Sequence, residues 1–190
     1  MAHDERPAGP LRWPDKPLSD GIVVLDQQVE ADIPAIVAGC SDAEAQRWLP
    51  LPNPYTPGDG YAWLRQHQEE AKRGESLDFA VRLSGQADLV GSIGAHFARC
   101  RVGECEIGYW ITPAVRGRGI ARRAIVLLAG YVFTTWSPRR IEMLIHPENT
   151  ASCRAAQGAG ASFEGIRARG MRQRDGTVAD AAVYVMLPPR

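Results

Sequence analysis

The hexapeptide RGRGIA, residues 116–121, decides the fold of this chain. It follows the apolar run CEIGYWI (105–111), which has the alternation of a β-strand, and it precedes apolar side chains that recur at helical spacing. Glycines at positions 117 and 119 let the backbone turn sharply and leave no Cβ in the way of a ligand, while the new helix points free N–H groups outward. These features predict a diphosphate-binding turn; the alternative is a tight connection that merely needs glycine.

The charge of the chain is balanced overall but not locally. It has 22 basic and 22 acidic side chains, so nothing in the total predicts a nucleic acid or an anionic membrane as a partner. Between residues 99 and 140, however, eight arginines accompany only two acids, Glu104 and Glu106. We therefore expect an anion to bind in this region. The arginines are Arg99, Arg101, Arg116, Arg118, Arg122, Arg123, Arg139 and Arg140.

Cysteine usage and hydropathy predict a cytoplasmic protein without a metal site. The four cysteines form no CxxC pair and no cluster with histidine at metal-ligand spacing, so we expect reduced thiols rather than zinc or disulfides. Residues 1–20 lack the apolar core of a signal peptide, and no later segment reaches the roughly 18 to 20 apolar residues that cross a bilayer. Neither export nor membrane insertion is expected.

The chain is expected to divide into a proline-rich arm, residues 1–20, and a single domain, residues 21–190. Prolines resist regular structure in the arm, which should dock through Leu11 and Trp13. Apolar alternation predicts about seven strands, and helical spacing predicts five helices. The strands are 21–28, 77–83, 87–100, 105–111, 141–145, 161–173 and 178–187; the helices are 31–40, 45–49, 61–74, one that starts after RGRG, and 150–157.

Capping residues predict where three of the helices begin. Asp32 is the expected cap of the first helix, and Ser41 is expected to form a capping box with Glu44 at the second. A second capping box, Thr56 with Asp59, should open the third helix.

The order of the elements predicts how the strands pair. Strands 77–83, 87–100 and 105–111 should form an antiparallel meander. Strands 105–111 and 141–145 should be parallel neighbours, joined by a right-handed crossover through the helix between them. The last two strands should pair as a hairpin across Asp175-Gly176, a dipeptide that favours a two-residue turn. The result is an α/β (α+β) fold with a mixed, mostly antiparallel sheet and flanking helices.

Further segments carry a family resemblance. RGRGIA matches (Q/R)-x-x-G-x-(G/A), EIGYWITPAVRG precedes it, and HPENTAS (146–152) follows with an N-x-x-S pattern. Together with Trp48-Leu49 and the segment 55–64, these residues resemble the GCN5-related N-acetyltransferases (GNAT), in particular the RimJ/RimL-type branch, which acetylates protein N-terminal amines. The resemblance covers most of residues 22–187. A P-loop would need GxxxxGK(S/T) and a dinucleotide fold GxGxxG after a first parallel strand, and neither motif is present.

The resemblance implies a GNAT fold that is splayed between the fourth and fifth predicted strands, with Pro113 where the splay should begin. It also implies acetyl-CoA as the cofactor, with the diphosphate on the glycine turn and pantetheine along the strand that ends near residue 111. The backbone N–H at that strand end would be the oxyanion donor. The implied cofactor-binding residues are Ile111, Arg116, Gly117, Arg118, Gly119, Ile120, Ala121 and Asn149.

Glu106 and Ser152 are the candidate catalytic residues. Acyl transfer to nitrogen needs a neutral amine and a proton for the leaving thiolate. Glu106 is the candidate base, since alternation places it on one strand face with Gly108 and Trp110 and the family keeps a carboxylate on this strand; the alternative is a solvent-facing charge at an edge. Ser152 is the candidate proton donor, as the RimL-like pattern suggests, or it satisfies the local backbone. At the position where the family often has a tyrosine, this chain has Ala156.

Three neighbouring residues have simpler interpretations. Asn149 orients pantetheine amides, caps a helix, or does both. His146 is the only one of the four histidines expected near the site, and it more simply ends a strand. Cys153 has no assignable His/Asp partner and is expected to be a structural thiol.

The acceptor should bind beneath the proline-rich loop 49–60, a candidate lid, with Trp48, Tyr55 and Tyr61 as substrate-binding residues. At pH 7 a free α-amine is roughly a tenth neutral, whereas a lysine is neutral to less than about one part in a thousand, so the α-amine is the easier substrate. The sequence thus predicts an acetyl-CoA-dependent N-acetyltransferase for protein N-terminal α-amines, monomeric or homodimeric. The alternatives are an acetyltransferase for a small-molecule amine, such as an antibiotic or a polyamine, and a non-catalytic acyl-CoA-binding protein.

Overall fold

The computed structural model describes Pro7, residues 9–97 and residues 103–189. Eight strands of this part of the chain form one sheet, in the order β1-β2-β3-β4-β5-β6-β8-β7. The strands are β1 (Leu18–Ser19), β2 (Val23–Gln27), β3 (Ser76–Leu83), β4 (Leu89–His96), β5 (Glu104–Ile111), β6 (Arg140–Ile145), β7 (Ser162–Arg172) and β8 (Val178–Met186). The helices are α1 (Ile33–Cys40), α2 (Ala43–Trp48), α3 (Pro57–Lys72), α4 (Ile120–Trp136) and α5 (Thr150–Gly158).

The predicted pairing of the strands is confirmed. Strands β2 to β5 form an antiparallel meander, β5 and β6 are parallel, and β6 continues through β8 to β7 in antiparallel pairs. The two-residue strand β1 was not predicted, because two residues carry no readable alternation. The third predicted strand extends to Cys100, whereas β4 ends at His96. Cys100, like Arg99 and Arg101, lies outside the described residues.

The sheet opens between its two parallel strands, as predicted. Strands β5 and β6 pair only from Glu104 to Glu106, opposite Arg140 to Glu142, and no later residues of the two strands are paired. Pro113 does not mark this point, contrary to the expectation. It lies in a 3-10 turn after β5 has ended, so the splay begins well before it.

Two apolar layers cover the sheet. The larger core joins α4 and α5 to one face and includes the fully buried Phe79, Ile125 and Leu128. A smaller core joins α1 and α3 to the other face around Ile36 and Leu64. The crossover helix α4 is amphipathic because its buried residues recur at helical spacing.

The N-terminal arm docks as expected. Leu11 is buried and its N–H donates to Ala71 O at 2.7 Å, and Trp13 Nε1 donates to Asp78 O at 2.9 Å. Tyr131 of α4 donates its hydroxyl to Arg12 O at 3.0 Å, so the arm crosses from α3 to α4.

The helix caps agree with the sequence at one of three positions. Thr56 and Asp59 form the predicted capping box of α3. At α2 the cap is Asp42 rather than Ser41, and its carboxylate accepts from the Ala45 N–H at 3.1 Å. Asp32 makes no cap bond to α1, since its carboxylate is held by both Nη atoms of Arg82 at 2.8 Å in a buried ion pair.

Within the described ranges, no helix combines the length and the apolarity that a bilayer crossing requires.

Candidate active site

A cavity of about 880 Å³ occupies the opening between β5 and β6. Its walls are the end of β5, the end of β6, the first turns of α4 and α5, the end of α2 and a short part of β7. Most of the predicted site residues line it: Trp48, Glu106, Ile111, Arg116, Gly117, Gly119, Ile120, Ala121, Asn149 and Ser152. Tyr55, Tyr61 and Arg118 do not.

The glycine turn has the backbone that its sequence predicts. Gly117 has φ of +72° and Gly119, the residue before α4, has φ of +76°. Residues other than glycine rarely adopt this backbone conformation. A Cβ at either position would meet nothing within 4 Å, so the space beside the turn is open. The first N–H groups of α4 have no partner inside the helix, and its first turn carries no acidic residue. The turn can therefore hold an anion.

Arg116 is engaged within the protein rather than free for an anion. Its Nε donates to Ile111 O at 2.8 Å and its Nη2 contacts Asp42 at 2.6 Å, so the side chain ties the end of β5 to the start of α2. Its N–H donates to Pro113 O at 3.2 Å. Arg122, in the first turn of α4, is the first arginine after the glycine turn, and it lines the cavity. Motif spacing could not predict the ion pair between Arg116 and Asp42, because 74 positions of the chain separate the two residues.

Asn149 and Ser152 form the start of α5. Asn149 Oδ1 accepts from the Ser152 N–H at 3.1 Å, so the interpretation as a cap is confirmed. The Tyr109 hydroxyl donates to Ser152 O at 3.3 Å, and burial raises the pKa of Tyr109 to about 12, which keeps this phenol neutral. No hydrogen bond joins Ser152 Oγ to another described residue. The hydroxyl of Ser152 thus does not satisfy local backbone groups, whereas Ala156 is a fully buried core residue.

Glu106 lies in the middle of the sheet, not at an edge. Strand β5 has β4 on one side and β6 on the other, so the alternative of a charge on an exposed edge does not hold. Its parallel neighbour Glu142 pairs with Arg140 and Arg167, each at 2.8 Å. No ion pair joins Glu106 to another residue of the described ranges, so its carboxylate is available at the cavity wall.

Of the three predicted substrate-binding aromatics, the structure brings only Trp48 to the cavity. Its Nε1 donates to Glu44 at 2.9 Å, and its ring is tilted by 42° against that of His146, with 5.1 Å between centroids. Tyr55 is buried in the smaller core, and Tyr61 is 40% exposed on α3. Tyr61 belongs to α3 and Tyr55 precedes that helix, and neither residue lines the cavity. Only the first two residues of the candidate lid, Leu49 and Pro50, line the cavity.

Sequence reasoning missed two parts of the cavity wall. His96, the last residue of β4, lines it directly opposite Glu106, so His146 is not the only histidine at the site. Met171 and Arg172 at the end of β7 line it as well. His96 could have been found by pairing the meander residue by residue, whereas the position of the β7 end follows only from the folded sheet.

Comparison with known proteins assigns the class. The acetyltransferase (GNAT) domain family matches residues 23–162. The uncharacterized N-acetyltransferase YoaA of Bacillus subtilis (strain 168) is 27% identical over 168 residues, which are 88% of this chain and 94% of that protein. This chain belongs to the GNAT acetyltransferase family and is an acetyltransferase, as the resemblance of its motifs implied.

Solved structures agree in fold. Mycobacterium smegmatis RimJ in complex with CoA-disulfide is similar with a TM-score of 0.79 and 25% identity, over 92% of this chain and 88% of that one. The ribosomal-protein-S5-alanine acetyltransferase from Vibrio fischeri has a TM-score of 0.78 at 19% identity, over 92% of this chain and 97% of that one. The predicted GNAT fold is confirmed, and the predicted cofactor agrees with the CoA compound bound to RimJ.

Proposed function

We propose that this chain transfers the acetyl group of acetyl-CoA to a primary amine, namely the α-amine of a protein N-terminus. The observation that carries the proposal is the continuity of the cavity. It extends from the open glycine turn at the start of α4, through the gap between β5 and β6, to the carboxylate of Glu106. An anion-binding end and an amine-binding end thus share one space.

The glycine turn fits a diphosphate. Gly117, Gly119 and the N–H groups that follow to Ala121 would bind it, since backbone donors at a helix N-terminus attract anions. Arg118 contributes its backbone to this turn, and Arg122 adds charge. Arg116 would hold the turn in place through Asp42 and Ile111 rather than contact the diphosphate. Asn149 can use its side-chain N–H groups for pantetheine, since its oxygen already caps α5.

Glu106 and Ser152 take the two proton transfers of the reaction. When bound, acetyl-CoA supplies the activated acetyl group as a thioester. Glu106 attracts the ammonium form of the acceptor and serves as its base, and Ser152 gives a proton to the departing sulfur. Among the described residues, Ser152 Oγ has no hydrogen-bond partner and the Glu106 carboxylate has no ion-pair partner, and both observations support these roles. The N–H near Ile111 would stabilise the carbonyl oxygen.

An α-amine is the acceptor that this set of residues handles best. It is roughly a tenth neutral at pH 7, so a modest base suffices. The likeness to RimJ and to an acetyltransferase named for a ribosomal protein supports a protein N-terminus as its carrier. We place the protein in the cytoplasm, where the free thiols of Cys40, Cys105 and Cys153 would remain reduced.

The test is release of free thiol from acetyl-CoA in the presence of single amines. The panel contains peptides with free N-termini, N-terminally blocked lysine peptides, polyamines and aminoglycosides. We expect turnover with the free N-termini and little with the blocked lysine peptides. Turnover with a polyamine or an aminoglycoside alone would assign a small-molecule acceptor instead. No turnover with any amine, together with tight CoA binding, would assign a non-catalytic acyl-CoA-binding protein.

A further inference from the structure

A buried carboxylate lies between two histidines beside the cavity. Asp78 of β3 has a side chain that is 6% exposed, and His67 Nδ1 of α3 lies 2.5 Å from its Oδ2. His96 Nε2 lies 4.0 Å from the other carboxylate oxygen of Asp78. Glu70, whose Oε2 is 3.6 Å from His67 Nδ1 and accepts from Ser76 Oγ at 2.7 Å, extends the group along α3.

The sequence keeps room for this group. Gly94 lies directly opposite Asp78 in the sheet. A Cβ on Gly94 would lie 2.1 Å from Asp78 Oδ1 and 3.0 Å from His96 Nε2, so any other residue would push the carboxylate and the imidazole apart. Burying three ionisable side chains carries a desolvation cost that an apolar core would not have. Packing alone therefore does not account for this group.

His96 connects the buried group to the reaction. It lines the cavity and is the direct cross-strand partner of Glu106, so both side chains lie on the same face of neighbouring strands. Helix α3, strand β3 and strand β5 supply the titratable groups that face its imidazole: His67, Asp78 and Glu106. Two of these are acids, one on each of the strands that neighbour β4.

The charge of Asp78 suits this arrangement. Burial alone would raise the pKa of Asp78, but the imidazoles of His96 and His67 outweigh burial, and the pKa lies below its usual range. Asp78 is therefore an anion at neutral pH. A fixed anion behind an imidazole stabilises the imidazolium that forms when the ring accepts a proton.

We propose that His96 is a catalytic residue that accepts the proton leaving the acceptor amine, with Asp78 and His67 as positioning residues; this rests on the proposed function. Glu106 and His96 border the amine end of the cavity together. A proton drawn off the ammonium can therefore pass from the Glu106 carboxylate at the cavity wall to the imidazole beside it.

The protons balance in this step. The ammonium form of the acceptor gives one proton to Glu106, which passes it to its cross-strand neighbour His96, and the freed nitrogen lone pair forms the bond to the acetyl carbon as the carbon–sulfur bond breaks. The sulfur takes a proton from Ser152, and the second proton released by the nitrogen restores that hydroxyl. His96 returns its proton to solvent after the products leave.

The test is the pH profile of kcat/KM for wild type and for His96→Gln. Loss of this base is expected to lower kcat/KM at pH 7 by about 10²-fold. The acid limb of the profile should also move to lower pH, because only the Glu106 carboxylate remains and carboxylates titrate below imidazoles. Asp78→Asn should move the limb in the same direction by a smaller step. His146→Gln, the same change at a second histidine of the cavity wall, should leave the acid limb where it is.

A second measurement does not depend on how well glutamine packs in the place of His96. In His96→Ala, imidazole added to the buffer should restore part of the lost rate, which a purely structural histidine would not allow. An unchanged acid limb in folded His96→Gln, or no rescue in folded His96→Ala, overturns the proposal and leaves the proposed function standing. If neither variant folds, the wild-type profile provides the test. A kcat/KM that stays constant as the pH falls, until the range in which carboxylates titrate, also overturns the proposal. A wild type that acetylates no amine overturns both.

Discussion

At the residue scale, the distinctive feature of the site is the group of polar side chains that the fold leaves available. Glu142 is matched by two arginines, whereas its neighbour Glu106 faces the cavity without an ion pair to any described residue. Ser152 shows the same contrast within one residue, since its N–H and C=O form hydrogen bonds and its Oγ forms none with the part of the chain that the structure describes. A structural role would engage these atoms, so their availability supports chemistry.

Replacing Ser152 by alanine tests the proton donor. Both backbone bonds of Ser152 persist in alanine, so α5 should keep its cap and the protein its stability. If the hydroxyl protonates the departing sulfur, kcat should fall by about 10²-fold with little change in KM. Steady-state kinetics provide the measurement. Thr150→Ala removes a hydroxyl from the same helix turn outside the cavity and should have little effect on kcat; equal rates for wild type and Ser152→Ala would return the residue to a structural role.

At the element scale, the junction of β5 and α4 combines the glycine turn with the opening of the sheet. Element order, crossover handedness and the Asp175-Gly176 turn signal predicted the meander, the parallel pair and the final hairpin. The turn of that hairpin is longer than the two residues expected, since the pairing of β7 with β8 ends at Arg172 and Val178. The Ser41 cap was wrong because Asp42 supplies the carboxylate one residue later. Pro113 was a poor marker of the splay, since the strands separate where their pairing ends at Glu106.

Gly119→Val tests the glycine turn as a diphosphate site. Valine would fill the open space beside Gly119 and should reduce CoA affinity by at least about 10²-fold, measured by calorimetry. Because a β-branched residue at φ of +76° is strained, a matched variant is needed. Gly85, in the turn between β3 and β4, has φ of +77° and equally open surroundings, so Gly85→Val carries the same strain away from the cavity. Normal CoA affinity in folded Gly119→Val, or equal loss in both variants, would place the diphosphate elsewhere.

At the scale of the whole molecule, two contacts tie α2, whose end lines the cavity, to segments far away in the sequence. Arg174 beyond β7 donates to Gln46 of α2 at 2.6 Å, and Arg47 of α2 lies 3.5 Å from Glu148 before α5. Trp48, the last residue of α2, lies at the cavity wall. The sequence could not predict these contacts, because residues such as Arg174 and Gln46 are 128 positions apart in the chain. For the same reason it misplaced Tyr55 and Tyr61, whereas the turn at Gly117 and Gly119, which one continuous motif encodes, has the backbone that the sequence predicts.

The position of the acetyl group on a peptide with both kinds of amine tests the central claim most directly. The peptide carries a free N-terminus and one internal lysine, and fragment masses after reaction with acetyl-CoA locate the modification. The same peptide with a blocked N-terminus is the control. We predict acetyl on the α-nitrogen and an unmodified control peptide, because the α-amine is far more often neutral at pH 7. Acetyl on the lysine side chain of both peptides, or on neither amine, would contradict the account.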